Sequence, residues 1–279
     1  MPCEGCPTFI IAATYDAGSW CKTWASVEYE GHETRPRMRS ICNRLPQKAR
    51  RPGISETHFL NMPHCAAWLY DWFMRMKPTA TQTQDVAQDM VSRIGCGRLL
   101  DIGTGHGRLL FEIHRLNPTL ELFGLDISPA MIAVAKKNLK DISSDLRQGR
   151  SEHTDYPDDF FDLVTCTGSL YLWDYPEEGL EEIFRILKPG RSAYLFEVYK
   201  DVDPDAFQSA LRAHLRELDP IRRLLGPYAL RKALRIAYRM DEYVAMIKST
   251  SFVYSFTIEK IQLASVPMWL RIVLTKTLG

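Results

Sequence analysis

Three glycines within five residues, set between a strand-like run and a helix-like run, constrain this chain more than any other feature. The stretch is LLDIGTGHGRLLF, residues 99–111. Its apolar residues, then Asp101, then Gly103, Gly105 and Gly107, then apolar residues again, predict a strand, a tight turn and a helix. A turn of this kind can bring main chain close to a nucleotide. The dinucleotide fingerprint needs G-x-G-x-x-G, its last glycine letting helix and strand pack closely. Here Arg108 occupies that last position. An aspartate at the strand's end would also repel a pyrophosphate, and it suits a ligand with a positive amine. A nicotinamide dehydrogenase is therefore disfavoured, and an uncharged nucleoside fits better.

A second strand, LFGLD, ends in Asp126, nineteen residues after Gly107. A carboxylate there can accept both hydroxyls of a ribose. From residue 98 the strand-like runs RLLDI, ELFGLD, FDLVTC and SAYLFEV alternate with helical patterns at 106–116, 129–139 and 177–187. That alternation predicts a doubly wound α/β fold, a mostly parallel sheet with helices on both faces. A helical, aromatic-rich pattern covers 64–94, a helical and basic one covers 203–248, and two late strands lie around Pro267.

Together these segments resemble the class I, Rossmann-like S-adenosylmethionine-dependent methyltransferases. LLDIGTGHG resembles the family's first motif, and GLDISPAMIAVAKKNL its second strand and following helix. DDFFDLVTCTGSLYLW looks like the fourth strand, and GLEEIFRILKPGRSAYLFEV like the helix, turn and fifth strand. The resemblance covers about 98–200 and the terminal strand pair. It implies a seven-stranded sheet whose last strand is antiparallel, S-adenosyl-L-methionine as cofactor, and methyl transfer by in-line displacement. It also implies that Asp101 lies near the methionine amine, that Gly103, Thr104 and Gly105 line nucleoside and methionine, and that Asp126 holds the ribose. Ile127 would flank the adenine, and Thr167 would begin the loop under the methionine moiety. Where the family places an adenine-reading aspartate, this chain has Arg150, so either Ser151 or main chain substitutes, or adenine is held mainly by packing.

Sulfonium methyl transfer needs alignment and dryness more than an acid–base pair. No such pair stands out; Tyr171 and Asp174, in TGSLYLWDYP, are the weak candidates. The absence of an Asn/Asp-Pro-Pro-aromatic element there argues against exocyclic base amines, and no DNA partner is expected. His106 reads better as a solvent-turned residue of the helix's first turn than as a base. Trp173 reads evenly as an acceptor contact or a cap on the sheet edge.

Residues 1–61 form an irregular extension ahead of a methyltransferase domain at 62–279. Seven basic and no acidic residues lie between Arg35 and Arg51, a solvated tail or an RNA-binding arm. A start at Met62 is a further reading of this region. Cys3 and Cys6 lack the four ligands of a structural zinc site, and no metal is expected. The insert 203–248 reads as a helical lid over an anionic or lipid-like acceptor, or as a solvated helix face over the core: from Arg212 to Arg239 eight basic residues stand against only Glu217 and Asp219. The acceptor is then a small molecule, anionic or lipophilic. No apolar run approaches the roughly 20 residues of a membrane span. With net charge +1 and seven scattered cysteines, this suggests a cytoplasmic protein. Two other readings stay open: a non-catalytic S-adenosylmethionine-binding partner subunit, and an RNA methyltransferase using the basic arm.

Overall fold

The computed structural model describes residues 60–75, 77–216, 231 and 233–278. They all fall within one compact unit, Ala49–Gly279. The basic arm at 35–51 and the cysteines at 3 and 6 lie outside the described residues, as does most of 217–232.

Seven strands form one sheet: β1 (Gly97–Ile102), β2 (Leu120–Asp126), β3 (Ser144–Gln148), β4 (Phe161–Thr167), β5 (Leu187–Val198), β6 (Phe256–Leu263) and β7 (Val266–Thr275). Their order is β3-β2-β1-β4-β5-β7-β6. Strands β1 to β5 pair in parallel, and β7 runs antiparallel to both β5 and β6. The order reverses at β1, which pairs with β2 on one side and β4 on the other. In open α/β sheets ligands bind at the carboxyl ends of the strands beside that switch point.

Both faces of the sheet are covered, so the central strands read as continuous apolar runs rather than as alternations. Leu99 and Leu163 point to one face and join Val86 and Met90 of α2 (Lys77–Arg93) and Leu110 and Ile113 of α3 (Arg108–Leu116). Leu100 and Val164, one residue on in each strand, point to the other face. There they meet Leu180 and Ile183 of α5 (Pro176–Ile186) and Tyr243 and Ile247 of α7 (Met240–Lys248). The helix α4 (Pro129–Asn138) follows β2, starting on the Ser128 side chain, which accepts from Met131 N at 3.3 Å.

The single helical pattern expected over 64–94 is two helices, α1 (His64–Met74) and α2. Pro78 would break one continuous helix, but is tolerated in the first turn of a second. The C-terminal turn is Ala264–Ser265, both left-handed with φ of 46° and 64°, so Pro267 lies inside β7 rather than between the strands.

The segment 203–248 does not behave as one lid. Tyr243 and Ile247 of α7 are fully buried in the central core, and the Tyr243 hydroxyl donates to Val198 O at 3.0 Å. Helix α7 is thus part of the core, because its apolar residues complete the face opened by β4 and β5. The preceding helix, α6 (Pro204–Arg216), packs through Phe207 and Leu211 into a smaller cluster with Val198, Val266 and Met268.

Candidate functional site

The glycine turn links β1 to α3. Gly103 and Thr104 donate their N–H groups to Leu125 O at 2.8 and 3.0 Å, and Gly107 donates to Thr104 O at 2.9 Å. All three glycines are left-handed, with φ of 76°, 52° and 75°. Their surroundings separate their roles. A Cβ on Gly103 would lie 2.3 Å from Ser169 Oγ, and one on Gly107 would lie 3.1 Å from Ala135 Cβ of α4. Gly107 therefore permits the close helix packing that the dinucleotide fingerprint assigns one residue later. A Cβ on Gly105 would meet only Gly103 O, at 4.0 Å, so the space beside it is open.

Carboxylates flank that space. Asp126 accepts from Gly105 N through Oδ2 and from Ser128 N through Oδ1, each at 2.8 Å. It braces the turn while α4 takes its cap from Ser128. Burial raises the Asp126 pKa, and these two backbone bonds temper the rise. Asp101 is 2% exposed, and burial pushes its carboxyl up to about 7, the Asp126 charge adding to the shift. Asp101 Oδ1, Thr104 Oγ1 and Thr167 Oγ1 are buried and have no hydrogen-bond partner among the described residues. Buried polar atoms are normally paired, so such a group points to a missing polar ligand. An amino acid attached to a nucleoside fits this donor set: the carboxylate suits an ammonium, and the hydroxyls can donate or accept.

Ile127 follows Asp126, is half-buried, and its carbonyl accepts from Gln148 Nε2 at 3.4 Å. Ser151 is buried and donates to Glu152 Oε2 at 3.2 Å. Arg150 turns toward the acidic groups around it, with Nη2 3.3 Å from Glu152 Oε1 and 3.5 Å from Asp174 Oδ2. It thereby ties the loop after β3 to the loop after β4. Asp174 is accordingly buried in this ion pair. Tyr171 lies in a short 3-10 turn, Leu170–Leu172, half-buried. Burial, then the charge of Glu197, holds its phenol well above the ordinary range, so it stays protonated. Trp173 is 6% exposed and lies against Gly179 of α5, where a Cβ would come within 2.5 Å of its ring. It packs the loop onto that helix.

Two residues change standing. His106 is buried, not turned to solvent, because α1 covers it: the Tyr70 ring meets it edge-on at 5.7 Å. Burial lowers its pKa to about 4, so the imidazole is neutral. Tyr70 itself was not singled out by the sequence. The residue is 43% exposed, and burial of its hydroxyl, then the Asp126 charge, push its pKa up to about 12. Asp71 fixes α1 there, accepting from Arg75 Nε and from Asn138 Nδ2 of α4, each at 2.9 Å. A helix carrying few charges and several aromatics offers no local signal for one inward-facing tyrosine.

Residues 100–195 match the methyltransferase domain family. They carry a class I S-adenosylmethionine-dependent methyltransferase domain. The uncharacterized methyltransferase YdaC of Bacillus subtilis is 29% identical over 117 residues, 41% of this chain and 65% of that protein. The demethylmenaquinone methyltransferase of Deinococcus radiodurans is 37% identical over 103 residues, 36% of this chain and 42% of that protein. The chain thus spans less than two thirds of the length of these relatives. A methyltransferase from Aquifex aeolicus shares the fold with a TM-score of 0.54 at 12% identity, over 77% of this chain and 100% of that one. The plantazolicin methyltransferase BpumL, solved with S-adenosylhomocysteine, does so with a TM-score of 0.57 at 15% identity, over 80% and 93%. The domain has the seven strands and the antiparallel β7 that the resemblance implies. Among the described residues no helix is long and apolar enough to cross a membrane, and no cluster of side chains could hold a metal ion.

Proposed function

We propose that the protein methylates a small, largely apolar aromatic acceptor of the hydroquinone type, with S-adenosylmethionine as donor. The observation that carries the donor half is the open space at Gly105, bordered by three buried and unpartnered polar atoms on Asp101, Thr104 and Thr167. Asp101 would meet the amine, Asp126 the ribose, Ile127 the adenine, and Thr167 the methionine moiety. Ser151 would line the adenine side beside Arg150, where charge pairing replaces the usual aspartate.

When bound, S-adenosylmethionine supplies a methyl group on a positively charged sulfur that leaves as a neutral thioether. The chain's own part is to orient and to exclude water. Tyr70 from α1 and Tyr171 from the loop after β4 offer protonated phenols that can hydrogen-bond an acceptor oxygen. Neither phenol is suited to take a proton at neutral pH, and Asp174 is engaged with Arg150. A hydroquinone is activated by its own ring oxygens, and the one proton it loses on methylation passes to solvent water rather than to one of these side chains.

The acceptor class draws support from these aromatic groups and from the relatives. Those include the Deinococcus enzyme above and the 2-methyl-6-phytyl-1,4-hydroquinone methyltransferase of Arabidopsis thaliana, 28% identical over 144 residues. We assign α6, with the described residues 231 and 233–236, as the cover of the acceptor side. The test has two parts. Calorimetry with S-adenosylhomocysteine should give micromolar binding or tighter, and turnover should occur with alkylated hydroquinones but not with transfer RNA. Binding without turnover on any acceptor would leave the non-catalytic subunit. Turnover of RNA that is lost on deleting residues 1–61 would replace the small-molecule reading.

A further inference from the structure

One carboxyl group in the described residues is fully buried and has no place in the donor site. Glu197 lies in β5, beside Cys166 of β4, and is 0% exposed. Its Oε1 accepts from Leu170 N at 3.1 Å and from Ser169 N and Cys166 Sγ at 3.3 Å. One side-chain oxygen thus gathers the main chain of the loop that carries Tyr171. Oε2 is buried without a partner among the described residues. The groups facing Glu197 are the Cys166 thiol from β4, the Tyr171 phenol from the 3-10 turn and the Tyr243 phenol from α7. Tyr238 lies behind Tyr243, and β7 contributes Leu270 opposite. None of these is a cation, so only the loop amides and the thiol offset a negative charge there.

We propose that Glu197 is a positioning residue for the loop after β4: as a neutral acid it fastens residues 169–171, and its ionisation favours an open loop. The inference rests on the reading of that loop as the acceptor side. Burial pushes the Glu197 carboxyl up to about 8 from an ordinary 4.5, while its hydrogen bonds from the loop temper the rise. In an open loop water would reach the group and restore the ordinary value. The closed form then binds a proton that the open form has lost throughout the interval from 4.5 to about 8. Closure is favoured most at low pH, weakens as pH rises through that interval, and is constant above it.

Amide hydrogen exchange reads this without any acceptor. Protection factors of the Ser169 and Leu170 amides, corrected for intrinsic exchange, should fall roughly 30- to 100-fold between pH 6 and pH 8 in the wild type. In Glu197→Gln, which keeps the accepting oxygen but cannot ionise, they should change less than about threefold. Glu197→Ala should lose the protection at both pH values; if it does not fold, the other two series decide. An equal fall in wild type and Glu197→Gln, or no fall in wild type, overturns the proposal. The second arm uses an accepted hydroquinone. Its KM should rise with pH in the wild type and stay flat in Glu197→Gln, with the S-adenosylhomocysteine Kd alike in both. Should the amides respond as expected while no acceptor is turned over, the proposed function fails and the positioning role stands.

Discussion

The turn after β1 and the loop after β4 sit at the same edge of the sheet, yet different forces hold them. The first is fastened by main chain: Gly103 and Thr104 donate to Leu125 O in the neighbouring strand, and Gly107 donates back to Thr104. Two side chains add to this, Asp126 from 21 residues away through Gly105 N and Asn138 from 32 away through His106 O. The second is fastened by side chains from afar. Ser169 Oγ donates to Ile102 O across 67 positions, Glu197 gathers the loop amides across 27 and 28, and Arg150 reaches Asp174. A turn built from backbone geometry depends on few residue types and recurs wherever the ligand is the same. A loop built from distant side chains can be rebuilt for each acceptor.

The glycines give the sharpest way to break this contrast. Gly105→Val should weaken S-adenosylhomocysteine binding at least about a hundredfold while the protein still folds. The side chain would enter the open space, at a φ of 52° that β-branched residues resist. Gly107→Val should do the reverse: it should lose about 1–3 kcal/mol of stability, because α4 already fills that space. Calorimetry and thermal unfolding on both variants are the measurements. If Gly105→Val binds normally, the turn is structural throughout and the contrast collapses.

Asp126→Ala comes next, with binding about ten- to a hundredfold weaker, since each 1.4 kcal/mol is tenfold. The structure adds a reason for partial loss of order too, because Asp126 also accepts from Gly105 N. Asp126→Asn separates the two effects: its side-chain carbonyl can keep one bond to the turn while the charge toward the ribose is lost. Affinity in Asp126→Asn equal to wild type would make the residue a brace and nothing more.

The same contrast explains what the sequence disclosed. Most of the sheet was legible because β1, β2, β4 and β5 are dense apolar runs between helical patterns, and the glycine turn is a local pattern. β3 was not read from its own residues: SDLRQ contains one apolar residue, since the strand forms the sheet's edge with only β2 beside it. Glu197 in SAYLFEV looked like one polar residue ending a strand, and its role depends on amides that no spacing rule connects to it. Tyr70 and the burial of His106 depend on where α1 docks, which Asp71 and Asn138 decide from 67 positions apart. The break in 203–248 between a peripheral α6 and a core α7 was hidden because both are amphipathic helices.

A pH series tests the donor side with a smaller effect. Asp101 has its carboxyl raised to about 7 in the free protein, whereas an adjacent ammonium favours the carboxylate. Below pH 7 binding must expel a proton, so S-adenosylhomocysteine affinity should fall as pH drops from 7 to 5, by at most about tenfold per unit. It should level off above 7. Stability of the free protein has the opposite sign: the raised group contributes most below its ordinary 3.8 and this contribution is lost as pH rises through about 7. Asp101→Asn should flatten both profiles. A Kd in wild type that does not vary between pH 5 and pH 8 would remove Asp101 from contact with the amine.

The smallest expected effect concerns the charge of the acceptor cover. Arg231 and Arg235 are exposed, while their neighbours Ala233 and Leu234 pack toward the cluster of Val198, Phe207 and Val266. At residues 231 and 233–235 the apolar side chains thus face the protein and these two guanidinium groups face solvent. Exposed charges in water contribute little to a bound neutral molecule, about 0–1 kcal/mol even for a direct ion pair. Reversing both, Arg231→Glu with Arg235→Glu, should change KM for an uncharged hydroquinone by less than about threefold and leave S-adenosylhomocysteine binding untouched. Leu211→Ala, which loosens the buried contact of α6, should move the same KM more than the double reversal does. If instead the reversal raises KM tenfold or more, and the effect fades in high salt, the acceptor is anionic. In that case the cover recognises its charge, and the apolar acceptor proposed above is wrong.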